Sequence, residues 1–166
     1  INLGRANANK LIFRILKESV KFYDVMLCEI DGGSLRNAIP REAFATLLIA
    51  EEDVEDVLQL VADFEEVFKQ EFRYTEPDML VSLVETEMPA RVLNEMVQDD
   101  IINAVTACFN GVYRFDMGFE GLVEASNNLA LVKSKEDNVE LLCLARSSAD
   151  SSKDALVSEI ESVLSL

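Results

Sequence analysis

The fold is decided by residues 25–50, which read VMLCEIDGGSLRNAIPREAFATLLIA. The nearly continuous apolar run at 25–30 predicts a strand, and the turn signal Asp31-Gly32-Gly33 closes it. A second apolar run, at 42–50, is entered through Pro40, whose missing amide donor suits the start or the edge of a strand. This stretch therefore predicts two strands joined by a polar, glycine-led loop.

Helical patterns flank the two strands. Apolar residues recur at helical spacing over 7–23 before them and over 52–72 after them. Acidic residues fill the first turn of the second helix, where the helix dipole favours negative charge. The order helix, strand, strand, helix predicts helices packed against a sheet.

The second half of the chain continues the alternation. The patterns predict a strand at 79–84, a helix at 90–109 with Pro89 in its first turn, a hairpin of strands at 129–132 and 139–144, and a last helix at 151–164 capped by Asp150 or Ser151. Residues 115–121 are glycine-spaced and irregular. The predicted fold class is α+β, a mainly antiparallel sheet of four to five strands with about four packed helices, in a single domain spanning 1–166.

Composition and charge exclude several classes of protein. The chain has 166 residues, of which 49% are hydrophobic, enough for one domain with a core. Fifteen Lys and Arg face 31 Asp and Glu, a net charge of −16 that repels nucleic-acid phosphates and anionic membranes. No apolar run approaches the roughly 18 residues that a membrane span needs.

The chain contains no histidine and no closely spaced cysteines. A Ser-His-Asp or Cys-His site cannot be built from it, and we expect neither a catalytic residue nor a metal ligand in this chain. Cys28, Cys108 and Cys143 lie far apart, each in an apolar segment. We interpret them as buried, reduced thiols, which favours a cytoplasmic setting.

Two positions carry polar groups in unusual places. In the loop after the first strand, Gly33 permits unusual backbone angles, and Asn37 follows with both a hydrogen-bond donor and an acceptor. Arg146 follows the predicted strand 139–144, where a guanidinium could hold an anionic ligand. From residue types alone, an ordinary loop and a surface salt bridge are the better interpretations, and no function follows.

Several motifs recur in order along the chain: NLGRANANK at 2–10, GGSLRNAIPREA at 32–43, NGV at 110–112, SNNLA at 126–130 and CLARSS at 143–148. This set resembles the bacterial aminoacyl-histidine (Xaa-His) dipeptidases of the M20 metallopeptidase family. The resemblance covers the lid domain, which is inserted into a catalytic domain that binds two zinc ions. The family's Gly-Gly-His-Ser-Gly and Tyr-Pro-Gly-Trp segments would flank this chain. Together with the non-Met start, this leads us to expect an excised lid whose catalytic domain and metal lie outside it.

The resemblance implies roles for three residues. Asn37 matches the lid asparagine that faces the substrate, and Arg146 matches the lid arginine that binds the substrate's terminal carboxylate. Gly33 would let the backbone come close. The implied function is a substrate-binding lid, inactive alone, of a zinc-dependent dipeptidase that hydrolyses Xaa-His dipeptides such as β-alanyl-histidine.

The resemblance also implies partners: the dipeptide, the catalytic domain and, because family lids can mediate subunit contact, a second copy in a homodimer. The alternative is a free-standing acidic protein-interaction or dimerisation module. A self-sufficient carboxylate enzyme is a third interpretation, but it lacks paired acids on facing elements.

Overall fold

The computed structural model describes residues 1–165, which form four helices and a five-stranded antiparallel sheet. The predicted α+β class is therefore confirmed. The elements in chain order are α1 (Ala8–Phe22), β1 (Val25–Gly32), β2 (Ala43–Ile49), α2 (Val54–Glu71), α3 (Glu95–Ala107), β3 (Gly111–Phe115), β4 (Val123–Ser134), β5 (Val139–Ser147) and α4 (Asp150–Leu164).

The long strand β4 organises the sheet. One of its edges pairs with β5 along most of its length, from Ala125↔Ser147 to Ser134↔Val139. The other edge pairs first with β3 and then, at Gly32↔Val132, with the end of β1. Strand β2 lies outside β1. The predicted hairpin is confirmed as β4–β5, whereas β3 was not predicted.

Helices α1, α3 and α4 cover one face of the sheet and bury the main core. This core is one contiguous cluster of side chains from the three helices and from the sheet. Its members include Phe13, Leu16, Ile102, Val105, Leu156, Leu129 and Val132. Helix α2 packs on α1 instead, through a second cluster centred on the fully buried Phe68. None of the helices within residues 1–165 combines the length and the apolar character needed to cross a bilayer.

Helix α3 begins at Glu95, not at Ala90 as predicted, because the preceding residues bond elsewhere. The Leu93 amide donates to the Leu27 carbonyl of β1 (2.8 Å), and the Asn94 side chain caps the helix by accepting from the Met96 amide (3.0 Å). Gln98 then bonds the backbone of β1 with its buried side chain. Helix α3 thus covers the part of the β1 edge that β4 does not reach.

The prediction of a strand at 79–84 is wrong, although packed and exposed side chains do alternate along this segment. Met79, Val81 and Leu83 pack against the α1–α2 cluster, whereas Leu80 and Val84 are exposed. The Val81 amide donates to the Glu65 carboxylate of α2 (3.1 Å), and no strand pairs with this segment within the described chain. Helix α2 takes the place of the missing partner strand.

Helix ends also differ slightly from the predictions. Asn7 caps α1 by accepting from the Lys10 amide, and α2 starts two residues later than predicted, after a single 3-10 turn. Helix α4 is preceded by Ala149, so neither Asp150 nor Ser151 is its N-cap.

Candidate functional site

The loop between β1 and β2 lies directly against β4. Gly33 has a φ of +79°, and a Cβ atom at this position would stand 2.0 Å from the Ala130 carbonyl oxygen. The Gly33 amide also donates to the Glu42 carbonyl, which closes the base of the loop (3.3 Å). Glycine is therefore required here by close backbone packing.

Asn128 of β4 anchors the tip of this loop. Its side-chain amide donates to the Ala38 carbonyl (2.7 Å) and, at 3.5 Å, to that of Arg36. Asn128 is 93% buried, and its own Oδ1 atom accepts no hydrogen bond within the described residues. The backbone on both sides of Asn37 is thus held, while Asn37 itself is exposed and makes no hydrogen bond within residues 1–165.

An ion pair in which only the carboxylate is buried holds the far end of the loop. Arg41 donates to both carboxylate oxygens of Glu76, a residue that is only 7% exposed. This hydrogen bonding is the main reason why the pKa of Glu76 lies below its ordinary value, and burial opposes it. One of the two loop arginines is therefore part of a structural ion pair, whereas the surface salt bridge that residue types favoured for Arg146 is not found within residues 1–165.

Arg146 is different, because its guanidinium is exposed and has no hydrogen bond or ion pair within the part of the chain that the structure describes. It pairs in register with Ser126, and Leu144 pairs with Asn128. Directly paired residues point to the same face of a sheet, and so do residues two apart on one strand. Arg146 therefore lies on the same face as Asn128, which anchors the loop, opposite the helices.

An acidic side chain two residues from Ser126, the register partner of Arg146, is already bound to other groups. Glu124, at the start of β4, accepts hydrogen bonds from Arg114 and from the Ser147 hydroxyl. The bond from Arg114 is the main cause that lowers the pKa of Glu124 to about 2. Sequence reasoning missed Glu124, whose only signal is its place opposite Ser147 and Ser148. Its pairing with Arg114 leaves the neighbouring Arg146 as an uncompensated cation.

A surface cavity of about 450 Å³ lies on the other side of the loop, between Gly33, Pro40 and Phe44. The ion pair of Asp31 and Lys133 (2.6 Å) lies at its rim. Neither Asn37 nor Arg146 lines this cavity. The structure thus places Arg146 on the face of Asn128, which holds the backbone on both sides of Asn37, and Gly33 at the packing contact that supports the loop.

This arrangement can bind an anion but offers no chemistry of its own. A guanidinium and a side-chain amide suit a carboxylate, which accepts two parallel hydrogen bonds from arginine. Within residues 1–165, no three Cys, Asp or Glu side chains come together as metal ligands would.

Three comparisons with known proteins bear on this site. A family model described as "Peptidase dimerisation domain" matches residues 2–76. The cytosol non-specific dipeptidase of Escherichia coli K12 is 38% identical over 163 residues, covering 98% of this chain and 34% of that protein. The crystal structure of aminoacylhistidine dipeptidase from Vibrio alginolyticus superposes with a TM-score of 0.95 at 39% identity, covering 98% of this chain and 33% of that one. The chain thus spans about a third of the length of each relative.

Proposed function

Because this chain is homologous to one third of each of two bacterial dipeptidases and its first half matches the M20 peptidase dimerisation model, we propose that it is the substrate-binding lid domain of an M20 dipeptidase. In this proposal the lid binds the free carboxylate of the dipeptide. It then closes over the catalytic domain, positions the substrate and excludes water.

The observation that carries the proposal is the unpaired guanidinium of Arg146. Nine of the fifteen cations in this acidic chain are bound to carboxylates, yet the Arg146 guanidinium has no such partner within residues 1–165. It lies on the sheet face of Asn128, whose side chain holds the loop that carries Asn37. A dipeptide ends in a carboxylate that a guanidinium grips bidentately. The amide of Asn37 would bond the same part of the substrate or the oxygen of its scissile carbonyl.

The metal of the proposed parent would be held outside this chain. Two zinc ions would polarise the peptide carbonyl and activate a water molecule there. The described residues offer no cluster that fits such ions, so we assign this chain only binding, orientation and closure. The lid alone is accordingly proposed to be inactive.

The substrate class and the setting rest on the relatives' names. One relative is called an aminoacylhistidine dipeptidase and the other a non-specific cytosol dipeptidase. We propose Xaa-His dipeptides such as β-alanyl-histidine as substrates, and a cytoplasmic location. Gly33 is proposed to act in substrate binding by supporting the Asn37 loop against β4.

A second role, dimerisation, is favoured by the family model over residues 2–76. It is compatible with the first, since a lid can hold a substrate and also contact a second subunit. Sedimentation of the chain across a hundredfold range of concentration tests this role. A monomer at every concentration would remove it and leave the lid proposal intact.

The decisive experiment uses the full-length gene product that contains this segment. We would compare Arg146→Ala with the wild type on β-alanyl-histidine and on its carboxyl-amidated analogue. Loss of a hydrogen-bonded charge pair is expected to lower kcat/KM about ten- to a hundredfold on the free acid. The amide, which lacks the charge, should lose far less.

The matched control is Arg73→Ala, since the Arg73 guanidinium bonds only the Gln70 carbonyl and stacks on the Tyr74 ring. This variant should hydrolyse both substrates at the wild-type rate. An equal loss on acid and amide in Arg146→Ala would overturn the carboxylate role, and no dipeptidase activity in the wild type would overturn the family function.

A further inference from the structure

Two cysteines that are 35 residues apart meet in the fold. The sulfur atoms of Cys108 and Cys143 are 3.7 Å apart, which is van der Waals contact. Cys108 ends α3, and Cys143 lies in the middle of β5, opposite Leu129 of β4. A disulfide has an S–S distance of about 2.05 Å, so the two sulfurs need to approach by roughly 1.7 Å.

A half-buried cation lies beside this pair. The Lys10 ammonium donates to the carbonyls of Val105, Thr106 and Cys108 at 2.7–2.8 Å, and so holds positive charge at the C-terminal end of α3. Positive charge near a thiol favours its thiolate, the form that reacts. Burial lowers the pKa of Lys10, but the three carbonyl contacts keep the ammonium in place.

The two thiols differ in burial and in pKa. Cys143 is half-buried, whereas Cys108 is only 1% exposed. The hydrogen bond between the two sulfurs lowers the pKa of Cys143 and raises that of Cys108. Cys143 packs at the border of the main core, and a less buried thiol of lower pKa beside a fully buried one is typical of an attacking thiol next to a resolving thiol.

We propose that Cys143 and Cys108 are a redox-active thiol pair that a low-molecular-weight disulfide converts reversibly into an intramolecular disulfide. The Cys143 thiolate attacks one sulfur of the small disulfide, forms a mixed disulfide and releases one thiolate. The Cys108 thiol then loses its proton, and its sulfur attacks that of Cys143, which releases the second small thiol. The protein dithiol gives up two electrons and two protons, and the small disulfide becomes two thiols.

The cross-link would join the end of α3 to β5, three residues before Arg146. The proposal does not depend on the proposed dipeptidase function, because it rests only on the sulfur contact and its surroundings. Cys28 lies apart from the pair in β1, where its sulfur contacts the Met26 carbonyl (3.6 Å). It serves as an internal control.

The test equilibrates the reduced native chain with reduced and oxidised glutathione, traps remaining thiols with N-ethylmaleimide and measures intact mass. We expect two of the three thiols to be lost in the native chain, and peptide mapping to recover Cys108 joined to Cys143. In urea, where the pair is no longer held together, disulfide formation should become about several hundredfold less favourable.

Variants separate the two roles. Cys28→Ser should still form the disulfide, Cys108→Ser should accumulate glutathione on Cys143, and Cys143→Ser should stay reduced, with circular dichroism reporting whether each is folded. Three reactive thiols in the native wild type at a glutathione ratio that oxidises the unfolded chain would overturn the proposal. A disulfide that includes Cys28, or a Cys108–Cys143 disulfide that forms as readily in urea as in the native chain, would also overturn the proposal. These results concern the wild type and do not depend on whether any variant folds.

Discussion

Replacing Gly33 by alanine has two costs, the strain of a left-handed backbone and a steric clash of the new methyl group, and a second glycine allows them to be separated. Gly33 has a φ of +79° and no room for a Cβ, which would stand 2.0 Å from the Ala130 carbonyl oxygen and 3.2 Å from Cγ of Pro40. Gly121 has nearly the same φ, +75°, with nothing within 4 Å of its Cβ position. Gly121→Ala is therefore a matched control for the backbone conformation alone.

The expected magnitudes follow from this geometry. A non-glycine residue in the left-handed region costs about 1–2 kcal/mol, which is the whole cost expected for Gly121→Ala. At Gly33 the new methyl group must also displace β4 or the loop by more than 1 Å, since ordinary contacts begin near 3.4 Å. Overpacking of this kind adds about 1–3 kcal/mol, so Gly33→Ala should lower the free energy of unfolding by about 4 kcal/mol.

Urea denaturation of the two variants and the wild type measures this difference. With an m-value of about 2 kcal/mol/M, Gly33→Ala should unfold at a urea concentration about 1 M lower than Gly121→Ala. Equal midpoints for the two variants would refute the reasoning, because the Ala130 contact would then cost nothing. A changed m-value would indicate an altered native state and would be checked by circular dichroism.

Three further predictions concern stability. Glu124 has a folded-state pKa of about 2, below its ordinary value of 4.5, so its contribution to the free energy of unfolding is present above pH 4.5 and is lost as the pH falls towards 2. The urea midpoint of Glu124→Gln should therefore depend less on pH over that interval than the midpoint of the wild type. Parallel profiles for the two proteins would contradict this. Phe13→Ala, in the fully buried core, should cost about 3–5 kcal/mol in the same assay, while Phe119→Ala, at a ring that is 69% exposed, should change stability by less than about 0.5 kcal/mol. The proposed disulfide closes a loop of 35 residues, so the oxidised chain should be about 3–4 kcal/mol more stable than the reduced chain, with the free energy returning to the reduced value on addition of dithiothreitol.

Local patterns predicted most of the fold. Helices α1, α2 and α4 and strands β1 and β2 were predicted close to their observed bounds, because periodic burial along one element leaves a periodic sequence. The β4–β5 hairpin was predicted in the right place, but β4 begins six residues before its predicted start. The site residues were less accessible. Residue types drew attention to Asn37 and Arg146, but only the family resemblance implied binding roles for them, and these roles stay predictions.

The sequence by itself thus determined most of the helices and strands, the acidic character of the chain and the absence of histidine chemistry. Only the tertiary structure decided which polar groups meet. It paired Arg41 with Glu76, left Arg146 unpaired and brought Cys108 to Cys143. It also packed residues 79–84 against helix α2, where the Val81 amide donates to the Glu65 carboxylate and no strand within residues 1–165 pairs with the segment. The physical reason is that these contacts join residues remote in sequence, and their distances depend on sheet register and helix packing, which no local pattern encodes.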